Sequence, residues 1–251
     1  MNYDHCVITR FNLRLRGVRG ATAARRSKNW IEKRLLYLNK YFIPSLGNQT
    51  DKNFTVCVCC HLGIGQNLLD SIDNSFNEFN INYKILKFSG RGWNKELSSC
   101  FENDKYILSR IDSDDAVSPL YCQNIKTFFS DPCNLDKNNP VVFDYERLYY
   151  YNSKTEQSLS SKYTIPTNFI SCINYGGVNP YTYPHPRFNK YYKVYKSKQS
   201  DACRIFHDHQ IAAVGTDWDD LSKGKIRQDW RTETPSELKK WWKRRESNPR
   251  L

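Results

Sequence analysis

No stretch of this 251-residue chain approaches the roughly 20 consecutive apolar residues that cross a bilayer, and its first residues lack the apolar core of a signal peptide. The expected location is cytoplasmic, with peripheral membrane contact at most. Zinc and redox spacings are missing among the nine cysteines, and their odd number leaves one unpaired in any full disulfide scheme. A reducing compartment fits that usage. Cys57, Cys59, Cys60 and His61 crowd together, but within Phe54-Thr55-Val56-Cys57-Val58-Cys59-Cys60-His61, which reads as a buried strand in which free cysteine serves as a small hydrophobe. There is no internal repeat, no nucleic-acid-binding motif, and no Gly-rich phosphate loop after the first apolar run. The last two absences disfavour a basic nucleic-acid-binding protein and a nucleotidyltransferase, which stand as the alternatives.

What is present is a globular composition: 39% hydrophobic and 14% aromatic residues, with 17 tyrosines and heavy use of asparagine that suggest a polar, hydrogen-bonding cleft. The balance of 38 Lys+Arg against 26 Asp+Glu, net +12, favours anionic partners. The basic residues cluster near the amino end, at Arg14, Arg16, Arg19, Arg25, Arg26 and Lys28, and again at the carboxyl end. Either cluster taken alone reads as a solvated face.

Along the chain, Cys6 to Thr9 reads as a first strand, followed by a basic loop to Ser27. Ser27 is placed to cap a helix in which Trp30, Ile31, Arg34, Leu35, Leu38 and Phe42 recur at helical spacing, with Pro44 as its stop. Phe54 to Cys60 is the second strand, Asn67 to Phe79 a helix with Leu68, Leu69, Ile72 and Phe76 on one face, and Tyr83 to Phe88 the third strand. Glu96 to Asn103 is a weak short helix, Lys105 to Ile111 a fourth strand, and a helix runs through Ile125 and Phe129. A strand near Val141-Val142-Phe143 leads into the Tyr-rich run to Tyr151, and residues 152–190 read as loops and short strands. Alternating strands and helices predict an α/β fold: a single, mainly parallel mixed sheet flanked by helices. Residues 1–130 form one half of it, residues 131–235 the other half of the same domain and residues 236–251 a basic tail.

The fourth strand ends in Arg110-Ile111-Asp112-Ser113-Asp114-Asp115. Carboxylate oxygens are the hard ligands that Mg²⁺ and Mn²⁺ prefer, commonly one or two side chains plus the phosphates of a nucleotide. In extended chain Asp112 and Asp114 would share a face; the competing reading is a plain turn before Ser118-Pro119. Open sheets of this kind bind ligands beyond the carboxyl ends of their strands, where both this loop and the loop after Thr9 fall. Position therefore favours the metal reading.

Thr9-Arg10-Phe11-Asn12-Leu13-Arg14, Trp30, Ile43-Pro44-Ser45-Leu46 with Gln49-Thr50 and Phe54, and the acid run at 110–115 together resemble the rhamnosyltransferase-type family of nucleotide-sugar glycosyltransferases. The resemblance covers residues 4 to 130 well and the remainder loosely. It implies a GT-A-like fold in which residues 1–130 are a Rossmann-like, nucleotide-sugar-binding half and residues 131–235 the acceptor-side half, and transfer of a sugar from a nucleoside-diphosphate sugar to a glycan, lipid-linked or other surface-polymer acceptor, with Mn²⁺ or Mg²⁺ and no nucleic-acid partner. It implies Asp114 as the leading metal ligand, Asp112 near ribose or metal, and Thr9, Arg10, Arg14 and Arg110 around the nucleotide. A His near the carboxyl end, His209 of the pair His207 and His209, corresponds to a third metal ligand. Asp217 or Asp219 is the candidate general base for the acceptor hydroxyl.

Trp241-Trp242-Lys243-Arg244-Arg245-Glu246-Ser247-Asn248-Pro249-Arg250-Leu251 suits a membrane interface by composition. Back-translated, however, it fits the reverse complement of the end of a transfer-RNA gene, two Trp codons for CCACCA and Glu-Ser-Asn-Pro across the T-loop. The expectation is a reading frame that runs into a neighbouring tRNA gene. Four cations against Glu246 make this tail +3 of the net +12.

Overall fold

The computed structural model describes residues 3–13, 27–89, 92–101, 106–136, 140–173, 178–207 and 230–232. Its centre is a seven-stranded sheet. The first half supplies β1 (Asp4–Arg10), β2 (Thr55–His61), β3 (Tyr83–Phe88) and β4 (Tyr106–Arg110), all mutually parallel where paired. After the two-residue β5 (Ala116–Val117), the second half supplies β6 (Val141–Tyr145), β7 (Arg147–Asn152), β8 (Ser158–Lys162), β9 (Ser171–Ile173), β10 (Lys193–Ser197), β11 (Ala202–Phe206) and β12 (Trp230–Thr232). The main sheet runs β10-β6-β9-β4-β1-β2-β3. Only β9 is antiparallel to its neighbours, wedged between β4 and β6. The α/β class and the mainly parallel sheet are thus as expected.

Alternation along the strands explains the layers. Val7, Val56, Val58, Cys60 and Ile107 face one core, whereas Cys6, Ile8, Cys57, Cys59 and Leu108 face the other. Among the described residues, five α-helices cover these faces: α1 (Lys28–Tyr37), α2 (Ile43–Gly47), α3 (Gln66–Glu78), α4 (Trp93–Ser99) and α5 (Tyr121–Ser130). Helix α3 buries Ile72 and Phe76 against the first face with Leu68 packed beside them, as its spacing predicts, Leu69 being buried as well, and α5 buries Tyr121, Cys122, Ile125 and Phe129 there. On the opposite face α4 packs Trp93 and Leu97. The crowded cysteines of β2 are buried free thiols.

Three expectations need correction. The helix beginning at the Ser27 cap does not stop at Pro44: it widens through a π-helical turn, Leu38–Phe42, in which Ile43 N donates to Leu38 O, and continues as α2 with Pro44 in its first turn. Proline lacks an N–H and clashes with a carbonyl one turn back, and the wider turn relieves both problems. The helix expected at Glu96 starts instead at Trp93, after Gly92 at φ +82, because the Trp93 ring is buried against Phe88 and Tyr181. Finally, the expected single sheet has a five-stranded companion, β12-β8-β7-β11-β5. Between β6 and β7 the chain changes sheet at Glu146, whose N–H donates to Ser197 O while its carbonyl accepts from Tyr163 N. Among the described residues no helix is long and apolar enough to cross a membrane.

Candidate active site

The parallel ladder brings the two halves of the site together. Ile8 pairs with Arg110, so two residues further on Arg10 arrives beside Asp112. This is also where the sheet order reverses, since β1 lies between β2 and β4, and such switch points open a crevice at the carboxyl ends of the strands. Arg10 Nη2 donates to Asp112 Oδ1 at 3.3 Å, and Arg110 Nη2 lies 3.3 Å from both Asp112 oxygens. Tyr181 backs the pair: its ring centroid is 5.0 Å from the Arg10 guanidinium carbon and 4.6 Å from that of Arg110. Its hydroxyl donates to Ile8 O at 3.3 Å. A ring face is a favourable neighbour for a partly desolvated cation, so Tyr181 lets two arginines sit close together.

Strand β4 ends at Arg110, and the acids do not continue in extended chain. Asp115 N donates to Asp112 O at 2.9 Å, closing a four-residue turn. The turn and the clustered acids are therefore both real, and the turn sends Asp112 and Asp114 to different partners. Asp114 Oδ2 accepts from Arg34 Nη1, a buried ion pair reaching across from α1, and from His207 Nε2 at 2.9 Å. Arg34 Nε donates to Ser113 Oγ at 2.6 Å, and that hydroxyl donates to Arg10 O at 3.0 Å. Tyr37, one turn beyond Arg34, stacks on the His207 ring with centroids 4.0 Å apart. Asp115 turns inward, accepting from Asn168 Nδ2 at 3.0 Å and from Ile205 N at 3.1 Å.

The three acids differ electrostatically. Burial works against ionising Asp112, but the guanidinium groups of Arg110, Arg10 and Arg34 outweigh it and hold the carboxyl well below the usual range. Burial likewise opposes ionisation of Asp114, and Arg34 and His207 bring its pKa down. Asp115 goes the other way: burial, then the charges of Asp114 and Asp112, push it well above the usual range. His185 faces the same cluster, with Nδ1 2.8 Å from Pro166 O, and burial followed by Arg110 lowers its pKa to about 4. It is neutral at pH 7. The rim thus presents three guanidinium groups to two ionised carboxylates, and Arg10 Nε and Arg110 Nε are buried without a hydrogen-bond partner among the described residues. A cationic surplus with spare donors suits an anionic, acceptor-rich ligand such as a diphosphate.

Of the residues singled out in the sequence, Arg10, Arg110, Asp112 and Asp114 meet in this rim. Thr9 is fully buried in β1, with its hydroxyl unpartnered among the described residues. Arg14, His209, Asp217 and Asp219 lie outside the described residues. Arg34, Tyr37, Tyr181 and the position of His207 were not foreseen. A signal existed for one of them: Arg34 falls on the apolar stripe of α1, where an arginine needs a buried acid.

A family model described as "Putative rhamnosyl transferase" matches residues 4–213. No curated protein sequence matches the chain. Among solved structures, residues 1–349 of S. aureus TarS are similar, with 11% identity over 80% of this chain and 60% of that one and a TM-score of 0.45. A mannosyltransferase from Pyrobaculum calidifontis, solved in complex with GDP-Man and Mn²⁺, has 9% identity over 82% of this chain and 57% of that one, with a TM-score of 0.47. The chain spans less than two thirds of the length of both.

Proposed function

The chain belongs to the rhamnosyl transferase family of glycosyltransferases, and on that premise we propose that it moves a sugar from a nucleoside-diphosphate donor to a glycan, lipid-linked or other surface-polymer acceptor with the help of a divalent cation. The observation that carries the reading is the composition of the rim: three arginines and two ionised carboxylates at the switch point between β1 and β4.

The cation fits a narrow donor set. Among the described residues no group of three or more His, Cys, Asp and Glu side chains gathers around one point. Asp114 Oδ2 and His207 Nε2, 2.9 Å apart, are a carboxylate and an imidazole aimed at one another, and Mn²⁺ or Mg²⁺ takes few protein ligands when phosphates supply the rest. These two residues would hold it, and Asp112, occupied by Arg10 and Arg110, would fix the nucleotide side of the rim. When bound, the cation neutralises the charge that grows on the diphosphate as the sugar bond breaks. Arg10 and Arg110 orient the donor with their free guanidinium edges, and Tyr181 holds both in place. Asp217 or Asp219 is the acid we assign as general base toward the acceptor hydroxyl.

The test is a thermal-shift screen of nucleotide sugars with and without Mn²⁺, on the wild type and on Asp114→Ala. A donor near a hundredfold excess over its Kd stabilises by about 2.7 kcal/mol, which for a chain of this size is a shift of about 5–10 °C. That shift should need Mn²⁺ and vanish in Asp114→Ala. Stabilisation by no nucleotide sugar, or stabilisation untouched by the mutation, overturns the reading.

A further inference from the structure

Asp114 already has a cation. Arg34 Nη1 and His207 Nε2 converge on the same carboxylate oxygen, Oδ2, which is the atom that would serve a divalent ion. A guanidinium and an M²⁺ ion cannot both neutralise one oxygen without repelling each other. The way Arg34 is held suggests how the conflict resolves. Its Nε is bound to Ser113 Oγ at 2.6 Å, and its guanidinium carbon lies 5.5 Å from the Trp30 ring centroid. Neither anchor involves Asp114. The side chain is also only 10% exposed, so it has little room to leave the rim, and Nη1 can change partner while Nε stays in place.

We infer that Arg34 is an exchangeable counter-ion: it neutralises Asp114 when no divalent cation is present, and on loading it keeps its Ser113 bond and turns Nη1 to the diphosphate of the donor. This rests on the transferase reading for the second half of the exchange, not for the first. Arg34 then serves both states with one hydrogen bond redirected. The buried carboxylate is never left bare, which would be costly, and a guanidinium fork suits phosphate oxygens better than any point charge. An empty rim is also self-closed against stray cations, so metal and donor load together.

Competition for Asp114 can be measured without any sugar transfer. Free Mn²⁺ is titrated by its EPR signal into wild type, Arg34→Gln and Arg34→Lys, and UDP, GDP, CDP and dTDP are then titrated in turn by calorimetry at saturating Mn²⁺. Arg34→Gln should bind Mn²⁺ alone about tenfold more tightly than wild type, because the competing charge is gone. It should bind the preferred diphosphate about tenfold more weakly. Arg34→Lys keeps the competing charge, so its affinity for Mn²⁺ alone should stay within about threefold of wild type while diphosphate binding still falls at least about fivefold. If Arg34→Gln does not fold, the lysine variant carries the test, and unchanged diphosphate affinity there refutes the exchange. Mn²⁺-alone binding in Arg34→Gln that is equal to or weaker than wild type, or absent from both proteins, also overturns it. Binding of no diphosphate by wild type instead sinks the transferase reading, and the Mn²⁺ titration still decides whether Arg34 competes for Asp114.

Discussion

Strands β1 and β4 bury polar side chains on both faces, and the two faces do it by opposite means. On one face, His5 Nε2 near the start of β1 meets Ser109 Oγ, one residue before the end of β4, at 2.8 Å, and Ser109 Oγ meets Ser171 Oγ at 2.7 Å, a row threaded from β1 through β4 to β9. Burial, with Lys126 nearby, lowers the pKa of His5 to about 3, so this row is uncharged at neutral pH. On the other face, at the carboxyl ends of the same two strands, the Arg10, Arg110 and Asp112 side chains are 9–22% exposed, less enclosed than that row, and Asp112 stays ionised between the two guanidinium groups. A fold that can bury polar groups neutral has no structural need for an ionic cluster. Breaking such a cluster is expensive and building one gains little. That contrast supports the proposal that the rim is charged for a ligand.

The first way to break this comparison is to charge the neutral row, and it carries the largest effect. A His whose folded pKa is depressed contributes stability that is complete above its unfolded value near 6.5 and is lost as pH falls toward about 3. Wild type should lose up to roughly 5 kcal/mol across that window relative to His5→Gln, which cannot titrate. Urea unfolding at pH 7, 6, 5 and 4 reads the difference, and parallel pH profiles for the two proteins would mean that His5 is not buried neutral. The second way is to strip the charged face. Arg110→Ala leaves Asp112 with Arg10 alone and empties one side of Tyr181, and should cost about 3 kcal/mol at pH 7. Arg110→Lys should recover less than half of that, because a point charge cannot span two carboxylate oxygens and an aromatic face. A loss below about 1 kcal/mol for the alanine variant would place the pair in the class of weak surface bridges.

The same contrast explains what could be read from the chain. Strand β3 was legible at both ends, and β1, β2 and β4 to within two residues, because apolar runs bounded by polar turns report local structure. The rim position of Arg10 and Asp112 followed from those strands and their parallel order. The second sheet did not, because in β7 the half-buried Tyr149 and Tyr151 flank the buried Tyr150, its parallel partner β11 lies far away in sequence, and β5 is only two residues long. The cation on Asp114 was hidden for a similar reason. Arg34 and His207 are 80 and 93 residues away from it in sequence, so no spacing rule joins them. An arginine in a helical apolar stripe says that an acid waits in the core, but not which acid.

Asp115 tests whether the rim is charged because of its place or because of its partners. It belongs to the acid run, yet its hydrogen-bond partners are the Asn168 amide and the Ile205 N–H rather than cations, and Arg204 acts on it only through space. Its pKa is pushed up by burial and by Asp114 and Asp112, so as pH rises above about 4 the unfolded chain ionises here while the folded protein resists. That costs stability at neutral pH. Asp115→Asn removes the cost: the new amide oxygen accepts from Ile205 N, and Asn168, turned over, offers its own oxygen to the new N–H₂ group. The variant should gain about 1 kcal/mol at pH 7 and nothing at pH 3, whereas Asp112→Asn, which deprives two arginines of their counter-ion, should lose stability at pH 7. Denaturant unfolding of both at the two pH values decides the matter. If Asp115→Asn is destabilised as much as Asp112→Asn, then Asp115 is a working anion of the rim, and partners have not overridden place.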